Sequence, residues 1–291
     1  MCEGCGLVRN EPVPSEDDLE RFYHLQYRQE YKGASQPRMR QVARNFRRVR
    51  LHLERFADVY ADAHAVLDIG AGSGEYAFAI RERGLAITAV EPNADYAAYV
   101  REKLGAPVET GFLSTDLVAP RSQDVVHLSH VLEHLRDPVG ALRTVRSFLK
   151  PGGLVFVEVP DILRYTRRKS RGGMFHYGHI WNFSSQTLRS AAARAGLVES
   201  ERTARLCEGE THAFFEAGAA AEAQELRDPA HAALVGEAIA DHYGKGPQDR
   251  SVLKPVRNLV RSVRETQLVR HYNGPAAIGR AILADEDGVA R

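Results

Sequence analysis

Three groups of side chains in this chain have the types and spacing for chemistry. The first joins Asp68, Gly70, Gly72 and Gly74 in VLDIGAGSGEY (residues 66–76) to Glu91 in AVEPN (89–93). The second is His130, Glu133 and His134 in DVVHLSHVLEHLRDP (124–138). The third is His176 and His179, just ahead of Trp181, the only tryptophan. Glycine accepts positive φ and lets a ligand approach the backbone, so the first group suits a tight turn with a ligand against it. The apolar run ending at Asp68 reads as a buried strand, and LAITAV (85–90) as a second, ending in Glu91, 17 residues after Gly74. An acid at the tip of that second strand is placed to accept both hydroxyls of a ribose, so the pair describes a nucleoside site. Histidine, with an unperturbed pKa of about 6.5, suits proton transfer.

The glycine spacing narrows the nucleoside. A dinucleotide fingerprint reads G-x-G-x-x-G, whereas Gly70-Ala71-Gly72-Ser73-Gly74 reads G-x-G-x-G after Asp68. This arrangement resembles the S-adenosylmethionine loop of class I methyltransferases. The resemblance implies S-adenosylmethionine as cofactor, with Gly70, Ala71, Gly72 and Gly74 against its methionine part and Glu91 on the ribose. Phe112 and Leu113, after the third strand, are placed to cover adenine, with ordinary core packing as the other reading.

Further motifs extend the likeness over residues 63–216. VLEHL after the fourth strand, LKPGG (149–153) before the fifth, and FHYGHIWNFSSQTLRSAAARAGL (175–197) are similar to a group that includes sugar methyltransferases of surface-glycan and antibiotic pathways. In that group a histidine matching His179 faces the acceptor, which makes His179 the leading candidate base, with His176 its rival and His130 able to reach either ligand. Glu133 and His134 read as a pair fixing the loop over the cofactor. A positioned base matters where the acceptor is a hydroxyl or an activated carbon, because the acceptor then has a proton to lose. His130-Val131-Leu132-Glu133-His134 also spells H-x-x-E-H, a zinc-peptidase pattern. Here it falls where the methyltransferase pattern expects VLEHL, so no metal is expected from it. CEGCGLV at the N-terminus is similar to the second half of a zinc ribbon. Cys2 and Cys5 leave such a site two thiolates short, so zinc is not expected there either.

The elements that must position these groups alternate. Strands are expected at 65–69, 86–90, 107–109, 124–128 and 153–159, and helices at 74–83, 94–104, 138–149 and 184–195. The turn Pro151-Gly152-Gly153 should lead into the fifth strand, and 197–206 with 211–217 should form a β-hairpin. The expected fold is α/β: a doubly wound, mostly parallel, seven-stranded Rossmann-like sheet of the class I methyltransferase type. Helices are expected at 16–31 and 37–60 ahead of it. The chain then divides into 1–62, a partial ribbon with helices; 63–217, the methyltransferase domain; and 218–291, a helical appendage. In that appendage Val256, Val260 and Val263 make an apolar stripe beside Arg257, Arg261 and Arg264, which reads first as a helix with a solvated basic edge, with a homodimer contact or a substrate cover as the other readings.

Composition sets limits on function. The 291 residues are 44% hydrophobic and 26% charged, values of a globular domain. No apolar run reaches the roughly 20 residues that span a bilayer, and no secretory signal is visible. Three cysteines make no disulfide framework, which fits the cytoplasm. A net charge of +1 argues against DNA or RNA as a general partner. Charge is nevertheless clustered: seven arginines lie in 38–55, and Arg164, Arg167, Arg168, Lys169 and Arg171 lie in 164–171. The default reading of the second cluster is a solvated charge run; the sharper one is a lid, hinged at Gly172 and Gly173, that grips a phosphorylated acceptor through Arg164 and Arg168, with Trp181 alongside. The expected activity is methyl transfer from S-adenosylmethionine to a small-molecule or glycan-type acceptor. An RNA methyltransferase and a non-catalytic cofactor-binding regulator are the rival readings.

Overall fold

A computed structural model describes the chain except residues 23–35, 169–174, 176–177, 223, 245–264, 268 and 285–291, and the side chains of 165, 167 and 168. Among the described residues the strands in chain order are β1 (Val8–Arg9), β2 (Ala65–Ile69), β3 (Ala86–Glu91), β4 (Glu109–Thr110), β5 (Gln123–Ser129), β6 (Leu149–Glu158), β7 (Trp181–Asn182), β8 (Leu197–Glu199) and β9 (His212–Ala217). Seven of these make the expected mixed sheet with helices between its strands. The chain divides into two compact units, residues 1–16 with 113–248, and residues 17–112 with 249–291.

In the unit of residues 17–112 and 249–291 the strand order is β4-β3-β2, all parallel, with Asp68 opposite Ala89 and Glu91 opposite Thr110. Val66, Leu67 and Ile69 are buried, as strands covered on both faces require. The helix Met39–Arg55 buries Val42, Phe46, Val49 and Leu53, a stripe spaced by three and four. Phe46 stands edge-on to Phe78 with centroids 5.4 Å apart. Gly279 of the helix Pro275–Leu283 lies so close that an added Cβ would come within 2.6 Å of the Phe46 ring. The single helix expected over 37–60 is broken: it stops at Arg55 and resumes as Ala57–Ala61. Phe56 causes the break. Its backbone leaves the helical region (φ −114°, ψ 31°) while its ring is buried against His52, so core packing overrides local propensity. The helix expected over 94–104 is likewise Ala94–Tyr99 followed by a π-turn Val100–Leu104, closed by left-handed Gly105.

In the unit of residues 1–16 and 113–248 the order is β5-β6-β9-β8, with β5 and β6 parallel and β9 antiparallel to both neighbours. Two expectations change here. β6 already begins at Leu149, so Pro151-Gly152-Gly153 lies inside it as an irregularity in its pairing with β5 rather than ahead of it. The left-handed Gly152 (φ 76°) permits that local bend. The first arm of the expected hairpin is only Leu197–Glu199, because residues 204–207 turn into a short helix that buries Cys207. The helix Ser185–Arg194 carries a capping box, with Ser184 and Thr187 bonded reciprocally, and left-handed Gly196 follows it. The short β1 pairs antiparallel with β7, and Val8 packs with Ile162 and Val235.

The helix Pro229–Gly244 belongs to this unit and Pro275–Leu283 to the other. His176, the Arg168 side chain, Lys169, Arg171, both glycines of the expected hinge and the stripe Val256–Val263 lie outside the described residues. No helix among the described residues is long and apolar enough to cross a membrane.

Candidate functional site

The glycine loop follows β2. Gly70, Gly72 and Gly74 all hold positive φ (72°, 58° and 84°), the conformation that L side chains resist. The Gly70 and Ala71 N–H groups both donate to the Val90 carbonyl, at 2.8 and 3.0 Å, which locks the loop to the end of β3. Glu91 completes the lock: its Oε2 accepts from the Gly72 N–H at 2.8 Å and its Oε1 from the Asn93 N–H at 3.1 Å. A carboxylate has about four acceptor sites, which is the chemistry that ribose hydroxyls call for at Glu91.

Beside it Asp68 is buried, and its Oδ2 has no hydrogen-bond partner. Burial, with the nearby charges of Glu75 and Glu91, pushes the Asp68 carboxyl up to about 7. A buried, unpaired acid fits a ligand that brings positive charge, as the sulfonium and ammonium of S-adenosylmethionine do. Glu75 is a further buried acid that the sequence pattern did not single out. It accepts from Ser73 Oγ at 2.7 Å and Asn45 Nδ2 at 3.1 Å, and burial raises its pKa. Phe112 is 39% exposed, so it is no core residue, and Leu113 is half-buried.

Gly74 is the tightest position in the loop. A Cβ there would lie 2.6 Å from Val100 Cγ2, in a left-handed conformation. Gly74→Ala is therefore expected to cost about 2–4 kcal/mol, combining left-handed strain with overpacking, read as a lower urea midpoint with unchanged slope.

A second cluster lies at the end of β5, in the other unit. His130 sits in the left-handed region (φ 57°), unusual for a residue with a side chain, and its N–H donates to the Glu158 carbonyl at 2.8 Å. The 3₁₀ turn Leu132–His134 then carries Glu133 inward, 1% exposed. His130 Nδ1 and His134 Nε2 lie 3.5 and 3.7 Å from Glu133 Oε1. Burial pushes the Glu133 carboxyl up, but the opposing fields of His134, His130 and His179 outweigh it and hold the group at about 2. His134 Nδ1 lies 2.5 Å from the Gly178 carbonyl, which can only accept, so Nδ1 carries hydrogen. The His134 and His179 rings meet edge to face at 4.9 Å. His179 is 8% exposed, whereas 40% of the His130 side chain is accessible.

The N-terminal arm holds this cluster in place. Asn10 Nδ2 donates to the His179 carbonyl at 2.8 Å, the Asn10 N–H donates to Ile180, and Asn182 Nδ2 donates to Asn10 Oδ1 at 3.1 Å. Trp181 Nε1 donates to the Leu135 carbonyl at 3.0 Å, tying the His179 segment to the Glu133 turn. Arg164 is paired with Glu210 at 2.8 Å and with Asp161 at 3.4 Å. Neither Asn10 nor the strand Val8–Arg9 just before it is visible in the sequence, because a two-residue strand leaves no periodicity. Asn10→Ala is expected to lower turnover about tenfold, the worth of one or two hydrogen bonds, with cofactor affinity unchanged by calorimetry.

Comparisons with known proteins show the family of the chain. The methyltransferase-domain family matches residues 40–199, more than half of the chain. The C-methyltransferase NovU of Streptomyces niveus is 27% identical over 98% of this chain and 67% of its own length. A ubiquinone biosynthesis O-methyltransferase of Methylocella silvestris is 29% identical over 40% of this chain, which spans 47% of that relative. A Burkholderia thailandensis 1,6-didemethyltoxoflavin-N1-methyltransferase, solved with S-adenosylhomocysteine, aligns over 72% of this chain and 92% of its own, at TM-score 0.43 and 18% identity. With a left-handed glycine loop locked by Glu91 and a family match across the sheet, this chain belongs to the S-adenosylmethionine-dependent methyltransferase-domain family.

Proposed function

We propose that this enzyme methylates a hydroxyl or an activated carbon of a small acceptor of the sugar or nucleotide-sugar kind. The observation that carries the reading is Glu133, a buried carboxylate with His130 Nδ1 and His134 Nε2 at 3.5 and 3.7 Å from its Oε1. Such an acid stabilises a histidine that gains a proton, the event that accompanies methylation of a protonated acceptor. The similarity of nearly the whole chain to a C-methyltransferase supports carbon as the methylated atom.

The bound cofactor supplies a methyl group already activated on a sulfonium. The chain's own residues do the rest. The glycine loop and Glu91 bind and orient the nucleoside, and Asp68 offsets its positive charge. Most of the acceleration of such a displacement comes from alignment, which can be worth about 7–11 kcal/mol. His130, the accessible histidine of the cluster, takes the acceptor's proton, with Glu133 as its counter-charge. His179, the first choice from sequence, is the buried partner of His134 and holds the cluster's shape.

The test is transfer of labelled methyl from S-adenosylmethionine to a panel of nucleotide sugars, free sugars, phenols and total RNA. Label in a sugar or nucleotide sugar is the expected result. Label confined to RNA, or to phenols alone, overturns the proposed acceptor class.

A further inference from the structure

The Glu133 cluster holds more than proton transfer requires. Glu133, His134 and His179 each offer one ligand atom, and these atoms all lie within 4.8 Å of one another. Both Glu133 carboxylate oxygens are buried without a well-formed hydrogen bond, a costly state for an acid 1% exposed. His134 shows the pattern of a metal ligand seen from its far side. Its Nδ1–H is spent on the Gly178 carbonyl, which fixes the tautomer and leaves Nε2 to face Glu133 at 3.7 Å.

We infer that Glu133, His134 and His179 form a site for one divalent transition-metal ion of the zinc, cobalt or iron kind, bound by two imidazoles and one carboxylate. Two histidines and a carboxylate are a donor set that such ions favour and that leaves coordination positions open. Metal bonds of about 2.0–2.2 Å set two ligand atoms of one ion no more than about 4.4 Å apart, so the ligand atoms must draw in from where they stand on binding. His130 Nδ1, 3.5 Å from Glu133 Oε1, borders the site. The H-x-x-E-H string thus contributes two of its three residues to a site different from the peptidase one. In the peptidase pattern both histidines share a helix face; here His130 is left-handed and Glu133-His134 sit on a 3₁₀ turn, while the second imidazole comes from residue 179.

In the function proposed above, on which this role rests, an open position would take an oxygen of the acceptor and make its proton easier to remove. The binding itself is tested apart from methyl transfer.

The experiment titrates chelator-treated full-length protein with Co²⁺ alone, reading visible d–d absorption and stoichiometry, then measures zinc by elemental analysis after equilibration with Zn²⁺. One saturable equivalent is expected in the wild type and in a Cys2→Ser/Cys5→Ser protein, whose thiolate pair is gone. Glu133→Gln and His179→Asn should each bind at least about tenfold more weakly, with S-adenosylhomocysteine affinity by calorimetry unchanged. Circular dichroism melts check that each variant is folded, and His179→Asn carries the comparison if Glu133→Gln is not. No saturable equivalent in the wild type overturns the site, and Glu133 is then held by histidinium pairs alone. Loss of the equivalent in the cysteine variant, or its full retention in either cluster variant, overturns it too. Unchanged S-adenosylhomocysteine binding in those cases leaves the methyltransferase reading intact.

Discussion

Asp68→Asn is expected to make the protein more stable at pH 8 and worse at binding its cofactor. The Asp68 carboxyl is pushed up to about 7 by burial and by Glu75 and Glu91, against about 3.9 in an unfolded chain. Between these values the unfolded chain has lost this proton while the folded chain keeps it. Stability therefore falls as pH rises from about 4 to about 7 and levels off above. At about 1.36 kcal/mol per unit, the ionised acid costs up to about 4 kcal/mol at pH 8. Asparagine carries no charge and escapes that cost. Urea unfolding at pH 8 should show a higher midpoint for the variant, and at pH 4 the two curves should nearly coincide. The same substitution removes a counter-charge for a sulfonium ligand, so calorimetry at pH 8 should show weaker S-adenosylmethionine binding. Wild-type binding should itself strengthen as pH rises through 7. A variant no more stable than wild type at pH 8 would show that Asp68 ionises without penalty.

His130→Ala is expected to lower turnover by about 10²–10⁴-fold, the usual worth of a positioned base, while cofactor affinity stays within about twofold. The left-handed backbone of residue 130 makes alanine more strained than the native histidine. His130→Asn, which tolerates that conformation, separates strain from chemistry. Should His130→Asn keep its rate within about threefold, the proton leaves by another route, and His179 returns as the candidate.

Local chemistry made much of this protein legible. The β2–loop–helix segment was readable because glycine at three alternating positions permits what other residues resist, and the structure gives all three positive φ. The parallel strands were readable because strands buried on both faces are continuous apolar runs. What failed were places where distant packing overrides local preference. Phe56 turns out of its helix to bury its ring. Residues 204–207 coil inward to bury Cys207 instead of continuing a strand. The partnership of Asn10 with the His179 segment spans 169 positions of sequence and has no local signature.

The candidate site divides the same way. Residue type and spacing alone marked a nucleoside site, because a ribose-accepting acid and a glycine turn act through neighbouring backbone, and the likeness to the class I methyltransferase loop named the cofactor. Only the tertiary structure separated the histidines by placement, because burial and ring contact depend on groups far apart in sequence. It set His130 and His134 at 3.5 and 3.7 Å from the buried Glu133 carboxylate, left 40% of the His130 side chain accessible, and placed His179 against His134.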